Sequence, residues 1–176
     1  AFWSWPRVRR LAELRLVRLE LVWLALGTKL VLFEYLARHI PMWLTDATHF
    51  LTYGLTVVFI ALNRHIPGSW LIAAGTSGNL IAIAANGGTM PANMDAWRRA
   101  GLRAIPADVF ENSTALSNPR LGFLGDVFAI PEAWPLSNVF SIGDVLIVIG
   151  GTYLAHRWCS QPPVPTERLE LSLTAP

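Results

Sequence analysis

Four apolar stretches constrain this chain more than any other feature. They are Leu19–Tyr35 (LELVWLALGTKLVLFEY), Thr48–Leu62 (THFLTYGLTVVFIAL), Trp70–Ala85 (WLIAAGTSGNLIAIAA) and Val139–Ala155 (VFSIGDVLIVIGGTYLA). A soluble helix keeps a polar stripe toward water, yet Leu71–Ala85 carries no charge on any face. A membrane-crossing helix needs ~20 mostly apolar residues. Flanks holding Tyr35, Trp43, Trp70 and Trp158 bring each stretch to that length, and such residues at span ends form an interfacial belt. The pattern predicts an all-α integral membrane protein. Its four transmembrane helices fall at about residues 19–37, 45–63, 69–86 and 138–157, with one long extramembrane loop over 87–135.

Composition agrees with that reading. Hydrophobic residues make up 53% of the 176 positions and charged residues 15%, against about 25% charged in soluble domains. These figures exclude a disordered chain and argue against an ordinary soluble enzyme. The one cysteine, Cys159, excludes an internal disulfide and any multi-Cys zinc or iron–sulfur site.

Arg7, Arg9, Arg10, Arg15 and Arg18 crowd the basic segment 1–18. An apolar stretch follows at once, so the cluster reads as a membrane-surface anchor rather than a nucleic-acid site. With this segment inside, four spans place Arg64, Arg157 and Arg168 on the same side and Arg38, Arg98, Arg99, Arg103 and Arg120 opposite, the expected sign of the positive-inside bias. The Arg-rich N-terminus and the Pro-rich tail 158–176 are therefore both expected to be cytoplasmic, flanking a single membrane domain over 19–155. The start is not a signal peptide, because its apolar run is too long and lacks a small-residue cleavage site. Ala1 in place of Met points to a segment upstream.

Ionisable groups inside spans are functional candidates because they are costly to bury. Lys29 and Asp144 are the deepest. Lys29 snorkels or pairs with Asp144, and Asp144 or Ser141 caps the first turn of span four. Glu20 and Glu34 sit at the ends of span one, within reach of Arg18 and Arg38. His49, Thr52, Tyr53 and Thr56 share one helix face; this face packs through interhelical hydrogen bonds, and His49 is a candidate axial ligand of a haem or chlorin. Ala74, Gly78 and Ala82 form small-xxx-small pairs with Asn79 beside them, the pattern of a close-packing helix.

In the long loop, Ala92–Ala100 (ANMDAWRRA) predicts a short amphipathic helix. Pro91 suits its first turn, Asp95 lies early, Arg98 and Arg99 lie late, and Gly101 closes it. Met94 and Trp97 would rest on the membrane surface. The loop acids Glu111, Asp126 and Glu132 read as solvated. Leu124-Gly125-Asp126-Val127 recurs as Ile142-Gly143-Asp144-Val145.

Several ordered motifs carry a resemblance. They are Asn86-Gly87-Gly88-x-Met90-Pro91; Asn112 and Asn118 leading to Leu121-x-Phe123-Leu124-Gly125-Asp126; Ile130-Pro131; and Ser141-Ile142-Gly143-Asp144-Val145 running to Gly150. Over Leu11–Ala155 the chain resembles an uncharacterised bacterial family known only as a membrane-protein domain of unknown function. The resemblance implies a multi-pass protein of the bacterial cytoplasmic membrane, with a further apolar segment ahead of the Arg-rich stretch. It implies no activity and no catalytic residues.

No H-E-x-x-H, G-x-S-x-G, Cys/His pair or acidic metal cluster is present, so no catalytic role and no metal site is expected. The expected function is that of a structural or accessory subunit of a larger bacterial membrane complex, energy-transducing (photosynthetic or respiratory). Its partners would be the lipid bilayer and other membrane subunits, not nucleic acid. The sequence requires no cofactor; pigment or quinone would at most lie against the spans. The alternative is a small oligomeric transporter or channel using Lys29 and Asp144.

Overall fold

The computed structural model describes residues 11, 14–31, 42–102 and 113–160. It corrects the all-α reading. The described residues form five α-helices and a four-stranded mixed sheet. In chain order the elements are α1 (Glu20–Val31), α2 (Met42–Leu62), α3 (Ser69–Ala85), β1 (Met90–Ala92), α4 (Met94–Arg99), β2 (Ser113–Ala115), a 3₁₀ turn (Gly122–Leu124), β3 (Asp126–Ile130), β4 (Asn138–Ser141) and α5 (Ile142–Cys159).

Among the described residues no helix is long and apolar enough to cross a membrane. The four-span reading therefore fails, for reasons visible helix by helix. The first apolar stretch is helical over only 12 described residues, α1. Helix α2 has 21 residues, but its first half carries Thr45, Asp46, Thr48 and His49. Helix α3 begins after Gly68 and has 17 residues. The fourth stretch is divided. Its front becomes strand β4, and the remaining helix α5 of 18 residues holds Asp144, His156 and Arg157. The flank ahead of α3 ends at Gly68, and the flank ahead of α5 is strand β4.

The segment read as a loop carries the sheet, in the order β2-β1-β3-β4. Strand β1 pairs parallel with β2 and with β3, and β3 pairs antiparallel with β4. Phe128 and Phe140 face each other across β3 and β4 with ring centroids 5.3 Å apart. Helix α4 packs on the sheet through a core of Ala92, Ala96, Trp97, Ala100 and Val139. Trp97 thus lies inside rather than on a membrane surface. The helix is shorter than expected: Asn93 caps it by accepting from the amides of Asp95 and Ala96, and Pro91 belongs to β1.

Helices α3 and α5 run antiparallel in close contact. A Cβ built on Gly75 would strike the carbonyl oxygen of Gly143, and one on Gly68 would strike that of Gly150. These two glycine pairs let the backbones approach. At its far end α3 stops on Gly87, whose φ of 69° is costly for other residues, and the Gly88 amide donates to the Ile83 carbonyl at 3.0 Å. That is the bond of a Schellman ending. The chain turns there directly into β1, which brings the sheet under the ends of α3 and α5.

Candidate functional site

The N-terminus of α5 anchors a polar cluster. Ser141 is its N-cap, and with Asp144 it forms a capping box: Ser141 Oγ accepts from the Asp144 amide at 3.0 Å, and Asp144 Oδ2 accepts from the Ser141 amide at 2.9 Å. Such reciprocal bonds satisfy orphan amide groups of a first turn. Asn79 reaches in from α3, donating through Nδ2 to Asp144 Oδ1 at 2.9 Å. The Ser141 hydroxyl has one proton, with Asn79 Oδ1 at 2.8 Å and Asp144 Oδ2 at 2.9 Å as its acceptors. Ser141 is fully buried and Asn79 nearly so.

Two cavities meet at this cluster. The first, of about 620 Å³, lies between the helices and the sheet and is lined by Tyr53, Asn79, Trp97, Ser113, Asp126, Asn138 and Asp144, among others. The second, of about 450 Å³, lies among α1, α2, α3 and α5, where Lys29, Thr52, Tyr53, Thr56, Thr76, Asn79 and Asp144 join a mainly apolar wall. Tyr53, Asn79 and Asp144 border both.

Asp126, at the start of β3, is 5% exposed, and Ser113 Oγ on β2 donates to its Oδ2 at 2.6 Å. Burial pushes its carboxyl up to about 6; the Asp144 charge adds to the rise and the Ser113 bond opposes it. Burial, with the nearby carboxylates of Asp144 and Asp126, pushes the Tyr53 phenol up to about 12. Burial lowers the Lys29 ammonium from its ordinary value, and its Nζ lies 5.4 Å from the centre of the Tyr53 ring. The cluster offers hydrogen-bond donors, acceptors and, in Asp126, a carboxyl that burial raises to about 6. Among the described residues no group of three or more His, Cys, Asp or Glu is placed to hold a metal ion.

Several expected residues come together here: Lys29, Thr52, Tyr53, Thr56, Asn79 and Asp144 all line the second cavity. The close approach of α3 uses Gly75, while Gly78 faces open space, Ala74 is exposed and Ala82 is fully buried. The His49 side chain, and Arg7, Arg9 and Arg10, lie outside the described residues. Arg15 is exposed, and Arg18 pairs with Glu20 at 3.2 Å on the surface.

Asp126 and Ser113 are the members that a loop reading of their segment misses. The recurrence of Leu124-Gly125-Asp126-Val127 and Ile142-Gly143-Asp144-Val145 was the available signal, since both aspartates face the first cavity. Gly125 is needed for a different reason from Gly143. A Cβ there would strike the Pro91 carbonyl, so its absence lets β3 lie against β1.

No solved structure matches the chain. A protein of Thermotoga maritima described as "Uncharacterized protein" is 31% identical over 101 residues, which is 57% of this chain and 57% of that protein. The chain thus spans just over half the length of that relative. The profile of the "Family of unknown function (DUF5317)" matches residues 12–155, most of the sequence and all of the cluster just described, and the chain belongs to that family.

Proposed function

We propose that this protein is a non-catalytic accessory subunit of a larger assembly at the bacterial cytoplasmic membrane. The observation that carries this reading is the amount of large apolar side chain facing outward from its helices. Trp23 on α1 is 65% exposed, Trp43 on α2 and Trp70 on α3 are each 68% exposed, and Val148 on α5 is 66% exposed. Leu26, Leu30, Leu51, Val58 and Ile149 extend the same faces. Large apolar side chains exposed in this number suit an interaction site. Helices of partner subunits, with lipid around them, would cover it. The Asn79–Ser141–Asp144 cluster then sets the helix arrangement that presents these faces.

The test is to extract the untagged protein from its native membrane in mild detergent and run a native gel with mass spectrometry of the band. Stoichiometric co-migration with a larger complex is expected, and Trp70→Ser with Val148→Ser should weaken it while leaving the fold intact. A lone monomer or homo-oligomer overturns the reading.

A second reading has its own support in the wall shared by the two cavities, which puts Lys29 on one side and Asp126 on the other. Such a path suits a small transporter acting as an oligomer. Lys29→Leu or Asp144→Asn should then abolish flux into vesicles while assembly persists; loss of assembly instead marks a packing role.

A further inference from the structure

Positive charge gathers at one end of the helices. The connection from α2 to α3 carries Arg64 and His65, and the Asn63 side chain holds the backbone of Val17 beside it. Arg15, His65 and Trp158, from the end of α5, line one depression there. Arg15, Arg18, Arg64 and Arg157 are all exposed. Among the described residues the acid at this end is Glu20, and it pairs with Arg18. Asp95, Asp126, Glu132 and Asp144 lie with the sheet, at the other end of α3 and α5. Arg64 makes no ion pair among the described residues.

An apolar groove of about 270 Å³ runs from Arg64 between α2 and α3. Val57, Ile60 and Ala61 share one face of α2 that continues to Arg64, and Trp70, Ala73 and Ser77 share one face of α3. The small side chains of Ala61, Ala73 and Ser77 keep the groove open, and Trp70 stands at its edge, 68% exposed. Among the described residues no carboxylate lines it, and neither does Lys29. The Ser69 hydroxyl donates to the Arg64 carbonyl at 3.0 Å, which fixes the backbone that carries the guanidinium.

The two ends of the groove select the occupant. An apolar channel takes a hydrocarbon chain out of water. A guanidinium matches a phosphate through paired charge-assisted bonds, and basic residues at a bilayer surface attract anionic lipid. A partner's apolar helix would fill the groove but leave the Arg64 charge unanswered.

We propose that this groove holds one anionic phospholipid, its phosphate on Arg64 and one acyl chain between α2 and α3 against Val57, Ala61 and Ala73. The assignment rests on the membrane location proposed above, not on the accessory role.

The test is native mass spectrometry of the full chain in neutral detergent, with phosphatidylglycerol and phosphatidylcholine of the same chain length titrated in competition. One saturable phosphatidylglycerol per chain is expected, and excess inorganic phosphate should not displace it. Arg64→Gln should weaken retention about tenfold or more, the usual effect of losing a charge-assisted bond. Ala73→Leu, which fills the groove and leaves Arg64 in place, should weaken it as strongly. Arg98→Gln, at the sheet end, should change nothing. Equal retention of the two lipids, displacement by phosphate, or unaltered retention in the Arg64 variant overturns the proposal. So does an Ala73 variant that keeps its lipid, or one whose wild type holds no lipid and which loses co-migration with a larger complex, the mark of a partner helix in the groove. The exposed Arg64 decides the matter if the Ala73 variant does not fold. A chain that migrates alone on the native gel yet retains phosphatidylglycerol overturns the accessory reading and supports this one.

Discussion

Asn79 Nδ2 and Asp144 Oδ1 lie 2.9 Å apart, joining the body of α3 to the first turn of α5 across 65 positions of sequence. This bond sits beside a fully buried serine and at the junction of both cavities. Asn79→Leu deprives Asp144 of a donor and leaves the Ser141 hydroxyl with one acceptor fewer. Removing one partner of a buried hydrogen bond costs about 1–3 kcal/mol. For a chain of this size that is a fall of about 2–12 °C in melting temperature, since each kcal/mol is worth about 2–4 °C. Circular dichroism melts of the two proteins check it; an unchanged midpoint would show the bond to be structurally idle.

Gly143 on α5 and Gly78 on α3 should separate sharply on mutation. At Gly143 a new Cβ meets Asn79 Oδ1 and, at 2.6 Å, the Gly75 carbonyl oxygen. Backbone on the facing helix cannot step aside as a side-chain tip can, so Gly143→Ala should destabilise by about 1–3 kcal/mol or more, the usual cost of overpacking. Gly78 has nothing within 4 Å. Gly78→Ala should be neutral or stabilise by up to about 1 kcal/mol, the helix-interior difference between the two residues. Urea midpoints of the pair measure both effects, and a similar loss in each would contradict the glycine-pair packing.

Asp126 predicts an unusual pH profile. Its carboxyl titrates near 6 in the fold, against 3.8 for the ordinary side chain. The folded state therefore holds the proton more tightly than the unfolded one. Stability from this group is fully present below about pH 4 and is lost as pH rises through 6, a difference of up to about 3 kcal/mol. Asp126→Asn keeps the shape and cannot ionise. It should flatten the melting temperature between pH 4 and pH 7 and raise it at pH 7.5. A wild-type melting temperature that is level over this interval, or a variant that is less stable at pH 7.5, would oppose a carboxyl raised to about 6.

How much of this was legible follows from distance along the chain. The capping residues Ser141 and Asp144 are three apart, and both are visible in Ser-Ile-Gly-Asp. The shared face of Thr52, Tyr53 and Thr56 follows from helical period alone. The sheet was hidden because its strands are only three to five residues long. Two of its three pairings are parallel, so they leave no hairpin signal. Pro91 reads equally well as the first turn of a helix and as the middle of β1. Gly75 gives no local sign of its role, because its partner Gly143 lies on α5. The apolar stretches misled for a physical reason. Hydropathy registers that a segment avoids water, whereas the length of the helix is set by breaks such as Gly68 and by Val139 and Phe140 joining a strand.

Two asparagines show how the helix ends hold distant chain, and they support a last prediction. Asn86 accepts from the Arg120 amide at 2.9 Å and donates to the Arg120 carbonyl at 2.7 Å. Asn63, just past α2, does the same for Val17, accepting from its amide at 2.8 Å and donating to its carbonyl at 2.9 Å. A side-chain amide paired this way mimics one rung of a β-ladder. Asn63 is 3% exposed, so the pair is shielded from water. Asn63→Ala removes both bonds to Val17 and should free the segment ahead of α1 while α2 and α3 keep their packing. Arg15 and Arg18 are exposed in that segment, so trypsin reports on it directly. Losing two hydrogen bonds of about 1 kcal/mol each raises the open population roughly tenfold to thirtyfold, and cleavage that follows opening rises with it. Mass spectrometry of timed digests should show faster cutting after Arg15 and Arg18 and unchanged cutting after Arg98 and Arg99 on α4. Equal acceleration at all four would mean that Asn63 supports the whole fold rather than clipping one strand of chain.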